Sequence, residues 1–143
     1  MIECRLFILK FGFMLLFCCH SEFCISQKNS SAHWFFNDNV GLDFSNGEPN
    51  SEMLGKVSYN FGGSACYSDS SSNLLFYSDG ETVWNKNHTI MLNGDGLLGS
   101  NEAAQPALIF AMPGSVNKFY LFTIGSAAAP IGLNYHIIDM TLD

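Results

Sequence analysis

Apolar and polar residues alternate in short runs along most of this chain, and Gly, Asn, Asp, Ser and Pro separate the runs. Short runs with a period of two mark half-buried strands. The densest stretch is Asn73-Leu74-Leu75-Phe76-Tyr77-Ser78-Asp79-Gly80-Glu81-Thr82-Val83-Trp84-Asn85. It reads as a strand, a tight Asp79-Gly80 turn and a second strand, because Gly accepts the positive φ that a two-residue hairpin turn needs. Strict alternation places Leu75 and Tyr77 on one face and Leu74 and Phe76 on the other. Both faces are apolar, so this hairpin should be covered on both sides.

The same reading extends along the chain. Residues 64–68 form a strand, and the polar stretch 69–73 turns back into the central hairpin. Residues 57–61 predict a short strand closed by Gly62-Gly63. Stretches 37–47 and 48–56 read as loops, since Gly, Asn and Asp tolerate left-handed backbone and bond their own main chain. A turn at 85–88 precedes Thr89-Ile90-Met91, and a Gly-rich connection follows over 93–99. Residues 107–112 and 118–124 make another hairpin around Pro113-Gly114, and 133–140 form a last strand. The class is all-β, with antiparallel hairpins that fit a sandwich, a barrel or propeller blades. No helix-period charged pattern is present.

Residues 1–26 are expected to be a secretory signal peptide. Arg5 and Lys10 give positive charge, 11–19 give an apolar run too short to span a bilayer, and Cys24 and Ser26 precede a cut before Gln27. A polar linker over 27–33 then leads into a β domain over 34–143. Four of the five cysteines (Cys4, Cys18, Cys19 and Cys24) fall in the leader, so a disulfide framework is excluded within the mature chain. Cys66 reads as a small buried hydrophobe. Aromatics at 14% against charged residues at 13% favour broad pleated faces over a helical bundle. The net charge is −7, with no basic cluster, which argues against nucleic acid and against anionic membrane surfaces. No membrane insertion is expected after signal removal.

The chemistry-bearing residues are sparse. Asp38, Asn39 and Asp43 are oxygen ligands, but their spacing does not match a twelve-residue calcium loop, and an ordinary turn explains them. The glycines of 93–99 are followed by neither a Lys-Ser/Thr pair nor a helix, so no phosphate loop or dinucleotide site fits. His33, His88 and His136 lie far apart with no ligand spacing; no metal and no other cofactor is expected. There is no Gly-x-Ser-x-Gly elbow. Asp79 and Glu81 are close carboxylates, yet Asp79 is already explained as the residue before Gly80 in a structural turn. No catalytic residue is expected. Trp34 and Trp84 are the candidates for a sugar-binding face, and burial of both favours a packing role.

Several pieces together carry a resemblance. They are Trp34-Phe35-Phe36 with Gly41-Leu42-Asp43-Phe44, then Asn73 to Gly80 with Val83-Trp84-Asn85. Asn87-His88, Met91, Asn93-Gly94 and Gly96-Leu97-Leu98-Gly99 follow, and Pro113-Gly114-Ser115 and Ile138-Asp139-Met140-Thr141-Leu142-Asp143 come last. This set resembles the N-terminal, propeller-like region of large Bacteroidota surface proteins. Those proteins carry PKD repeats and end in a gliding-motility-type C-terminal domain for type IX secretion. The resemblance implies a secreted or cell-surface partial β-propeller of one to two blades, truncated relative to the family, with no catalysis and no active-site residues to carry over. Ser78 to Trp84 also resembles the Asp-box turn of sialidase-type propellers with a deletion, a structural element. Two functions are in play. One is a non-catalytic structural or adhesive surface module whose partners are other surface proteins or glycans. The other is a fragment of a glycan-binding or glycan-active propeller, which needs an exposed aromatic beside two carboxylates in a cleft.

Overall fold

The computed structural model describes residues 30–36, 39–57, 62–128 and 131–142, and every element named among them is a strand. Nine strands form three antiparallel sheets, each a simple meander. Sheet 1 holds β1 (His33–Phe35), β2 (Gly41–Asp43) and β3 (Asn50–Glu52). Sheet 2 holds β4 (Ala65–Ser68), β5 (Leu74–Ser78) and β6 (Val83–Asn85). Sheet 3 holds β7 (Ala107–Ala111), β8 (Lys118–Ile124) and β9 (Leu133–Asp139). The first strands follow one another, β1 beside β4 and β4 beside β7. The all-β class is therefore observed, in three sheets rather than in one to two blades' worth of hairpins.

The missing sheet is sheet 1. Stretches 37–47 and 48–56 read as loops because their turn residues outnumber their apolar ones, yet β2 and β3 lie inside them. Tertiary pairing overrides that local preference: Trp34 pairs with Leu42 and Leu42 with Ser51. His33 belongs to β1, so the polar segment ends one residue earlier than expected. Val57 is outside any strand, and the remainder of the expected 57–61 strand lies outside the described residues, as does the proposed signal peptide.

Asp and Asn side chains terminate the strands. The carboxylate of Asp43 accepts from the Ser45 amide at 2.7 Å. Asp69 accepts from the amides of Ser71 and Asn73, Asp79 from those of Glu81 and Thr82, and Asp139 from that of Thr141. The Asn85 carbonyl oxygen accepts from the amides of Asn87 and Thr89. Each bond satisfies a backbone donor that the ladder has released, which is why these residue types stand at strand ends. Much of the acidic charge is thus turn chemistry.

The central hairpin is covered on both faces, but not in the expected alternation. The register slips between Tyr67 and Ser68, so Tyr67 faces Phe76 and Ser68 faces Leu74, leaving Leu75 as the extra residue of a bulge. Leu74 therefore packs with Tyr77, beside Phe35, Val57 and Trp84, between sheets 1 and 2. Leu75 packs on the other side with Phe76, Val83, Met91, Ala107, Phe119 and Leu121, between sheets 2 and 3. Phe76 and Tyr77 are fully buried on opposite sides of one strand, each burial contributing about 1.5–3 kcal/mol.

Candidate functional site

Polar groups converge at one place only by tertiary folding, where the end of β1, β3 and the turn after β6 meet. The Nδ1 of His33 lies 3.0 Å from Oε2 of Glu52, and its Nε2 lies 3.1 Å from the carbonyl oxygen of Ser72. The other Glu52 oxygen faces Nε2 of His88 at 3.9 Å, so one carboxylate stands between two imidazoles. Asp43 Oδ1 is 3.8 Å from His33 Nε2. The His88 Nδ1 lies 3.1 Å from the Tyr77 hydroxyl, and that hydroxyl accepts from the Lys56 amide.

The Tyr77 oxygen accepts from the Lys56 amide and shares a hydrogen bond with His88 Nδ1, while His88 Nε2 faces Glu52. Both nitrogens of His33 face oxygen acceptors, the Glu52 carboxylate and the Ser72 carbonyl. Burial pushes the His88 pKa below the usual histidine value, against the opposing field of Glu52. Burial also pushes the Tyr77 phenol above its usual range. The cluster clamps sheet 1 to sheet 2 over the Phe35–Tyr77 stack, whose ring centroids are 4.3 Å apart.

Beside it opens a cavity of about 560 Å³, lined by Trp34, Phe35, Val57, Ser64 and Cys66 among others. His33 stands on its wall with both ring nitrogens engaged, and two further polar groups there bond backbone. Trp34 Nε1 donates to Ser31 O at 2.9 Å, and Ser64 Oγ donates to Phe35 O at 2.5 Å. Burial pushes the Cys66 thiol up to about 11, which keeps it a thiol and not a nucleophile at neutral pH.

The two tryptophans separate. Trp84 is buried at 8% exposure and stacks on Tyr77 with centroids 5.2 Å apart. Trp34 is 48% exposed, tilted against Phe44 at the rim of the cavity. The criterion of joint burial is met by one and not by the other. Asp79 and Glu81 do not form a carboxylate pair for acid–base work: Asp79 bonds two backbone amides, and Glu81 Oε1 accepts from the Asn101 amide at 3.2 Å. The Asp79-Gly80 connection is a four-residue loop, since Ser78 pairs with Val83, and only Gly80 of the four has positive φ, at 95°. Sequence reading correctly placed the turn and missed its length, because the Asp79 carboxylate caps a wider loop than a two-residue turn.

His136 stays apart from the other histidines, 3.1 Å from Thr123 Oγ1. Among the described residues no set of three His, Cys, Asp or Glu side chains converges to hold a metal ion. Of the calcium-loop candidates, Asp38 lies outside the described residues and Asp43 caps Ser45. Glu52 went unnoticed in the sequence because nothing local distinguishes it; only the β2–β3 pairing brings it under His33 and His88.

These observations define an all-β chain of three small antiparallel sheets joined by two apolar interfaces and one polar clamp. Comparison with protein-family models, with curated proteins and with solved structures found no match.

Proposed function

We propose that this chain is a non-catalytic, exported β module, structural or adhesive, of the kind its motifs resemble in gliding-motility-associated, type IX secreted surface proteins of Bacteroidota. On this reading residues 1–26 are removed on export, and the three sheets are blades of a partial β-propeller. Support for the propeller comes from the succession of first strands, β1 beside β4 beside β7, with each sheet's apolar face against the next. The observation that carries the non-catalytic reading is the fate of the polar groups. His33, Glu52, His88 and Tyr77 are bonded to one another and to backbone, clamping two sheets, and His33, which stands on the wall of the adjoining cavity, has both ring nitrogens engaged. The partners on this reading are other surface proteins or glycans, met through surface and not through a reaction.

The test is an assay of the purified chain against a panel of polysaccharides and aryl glycosides, alongside its Glu52→Gln variant. No hydrolysis above background is expected from either. Turnover that disappears in Glu52→Gln would overturn the reading.

One observation favours a second reading, that of a glycan-binding module: the half-exposed Trp34 at the cavity rim. Aromatic faces take sugar rings by apolar contact. Titration followed by tryptophan fluorescence, with Trp34→Ala as control, decides it. A saturable change lost in the variant supports glycan binding, and an unchanged spectrum removes it.

A further inference from the structure

The sequence holds two Asn-Gly pairs, Asn46-Gly47 and Asn93-Gly94, and the fold gives them opposite surroundings. Asn before Gly is the context in which a chain most readily attacks itself, because glycine has no Cβ to keep its amide nitrogen away from the preceding side chain. Gly94 is shut in. It is buried, its N–H donates to the Met91 carbonyl at 2.8 Å, and its own carbonyl accepts from the Val83 amide at 2.6 Å. A Cβ there would lie 3.0 Å from the carbonyl oxygens of both Met91 and Val83. Val83 and Met91 belong to the apolar interface between sheets 2 and 3, so turning the Asn93–Gly94 peptide means opening the core. Gly47 is open. Residues 45–49 are exposed, and a Cβ at Gly47 would meet nothing within 4 Å among the described residues beyond its chain neighbours. The Gly47 N–H closes this exposed turn by donating to the Phe44 carbonyl at 2.9 Å.

We propose that Asn46 is a site of spontaneous modification, losing its side-chain amide through a cyclic imide formed with Gly47, and that the fold protects Asn93 from the same fate. The Gly47 amide nitrogen gives its proton to solvent and bonds to Asn46 Cγ. The Cγ–Nδ2 bond breaks, and Nδ2 takes up a proton and leaves as ammonia. Water then opens the imide at one carbonyl or the other, leaving an aspartate or an isoaspartate at position 46. Water is the only co-reactant. The step needs the peptide to turn, which an exposed loop allows by local opening and a core segment allows only by unfolding around it. The product also fits. Residues 44–49 bridge the paired Asp43 and Asn50, a span that can take up the extra main-chain methylene of isoaspartate while β3 keeps its register. The modification adds one negative charge to the net −7, beside Glu48. The Phe44 ring packs on Trp34 with centroids 5.1 Å apart, so the modified turn borders the Trp34 rim of the cavity.

The test incubates the full chain, folded and in parallel unfolded in guanidinium chloride, in mildly alkaline water enriched in heavy oxygen. Peptide mapping by mass spectrometry then reads the label at each site. In the unfolded chain both Asn46 and Asn93 are expected to convert at comparable rates. In the folded chain Asn46 should convert within about tenfold of its unfolded rate, and Asn93 at least about tenfold more slowly than Asn46. Asn46→Gln should lack the acidic species that wild type accumulates on isoelectric focusing and should keep the wild-type melting temperature. Folded-state conversion of Asn93 as fast as that of Asn46, or an Asn46 that stays unchanged while the unfolded chain converts, overturns the proposal. The non-catalytic reading stands or falls separately, on the glycoside assay.

Discussion

The Tyr77 hydroxyl and Nδ1 of His88 stand 3.1 Å apart on the sheet 2 side of the seam with sheet 1. The bond joins two roles in one residue. The Tyr77 ring fills the apolar interface between Phe35 and Trp84, and its oxygen ends in the polar clamp. Tyr77→Phe keeps the ring and removes the oxygen, leaving the Lys56 amide without its acceptor and His88 Nδ1 without its partner. A loss of about 1–2 kcal/mol is expected, with the fold retained. Urea unfolding of the variant against wild type measures it, and a change within error would mean that water replaces both bonds.

His88 gives the clamp a pH dependence. Burial lowers its pKa in the folded chain, so the unfolded chain binds the proton more tightly. The contribution to stability is fully present above about 6.5 and is lost as the pH falls from there toward the lower folded value. His136 is lowered by burial as well and adds to the same window. The melting temperature should therefore drop between pH 7.5 and 5, and His88→Gln should flatten part of that slope. An equal slope in the variant would assign the dependence to other groups.

A separate window lies at acid pH. Two bonds from Thr141 and the Lys118 ammonium hold the Asp139 carboxylate down at about 2. A folded pKa below the unfolded one gives stability that is present above about 3.8 and disappears as the pH falls toward 2. Thr141→Val removes the hydroxyl and should raise the Asp139 pKa, which carbon-detected NMR titration of the carboxyl reads directly. The acid midpoint of unfolding should rise with it.

Sheets 2 and 3 were legible in the sequence because their strands alternate apolar residues between strong turn signals, as in Lys118 to Ile124 after Pro113-Gly114. There the turn closes with the Ser115 amide on the Met112 carbonyl, and Gly114 takes φ of 78°. Sheet 1 was not legible, since β2 and β3 contain Gly41, Asp43, Asn50, Ser51 and Glu52, residues of low strand preference that only pairing holds extended. The bulge at Leu75 escaped for a related reason: two adjacent leucines fit either face, and the partner strand decides. The candidate site was hidden more deeply. Its members are separated by 19 residues between His33 and Glu52 and by 11 between Tyr77 and His88. No spacing rule gathers them; sheet packing does.

The Asp79-Gly80 turn carries the sharpest expectations, because each residue has two jobs. The Asp79 carboxylate caps the amides of Glu81 and Thr82 while being buried, and burial raises its pKa against those bonds. With a raised folded pKa, its contribution is present below about 3.8 and lost as the pH rises through the folded value, so the ionised form opposes folding at neutral pH. Asp79→Asn keeps an accepting oxygen and drops the charge; its melting temperature at pH 7 should equal or exceed wild type. Asp79→Ala drops the oxygen and should cost about 1–3 kcal/mol. Gly80 holds φ of 95°, and a Cβ there would lie 2.8 Å from both Cβ and O of Pro106, at the entry to sheet 3. Left-handed backbone costs an L-residue about 1–2 kcal/mol and overpacking about 1–3 kcal/mol more. Gly80→Ala should therefore lose about 2–5 kcal/mol, a large part of the stability of a domain this size. Asp79→Asn and Gly80→Ala measured side by side separate the two causes: loss only in Gly80→Ala locates the constraint in the backbone and the Pro106 contact, and a loss in Asp79→Asn would show that the carboxylate charge contributes as well.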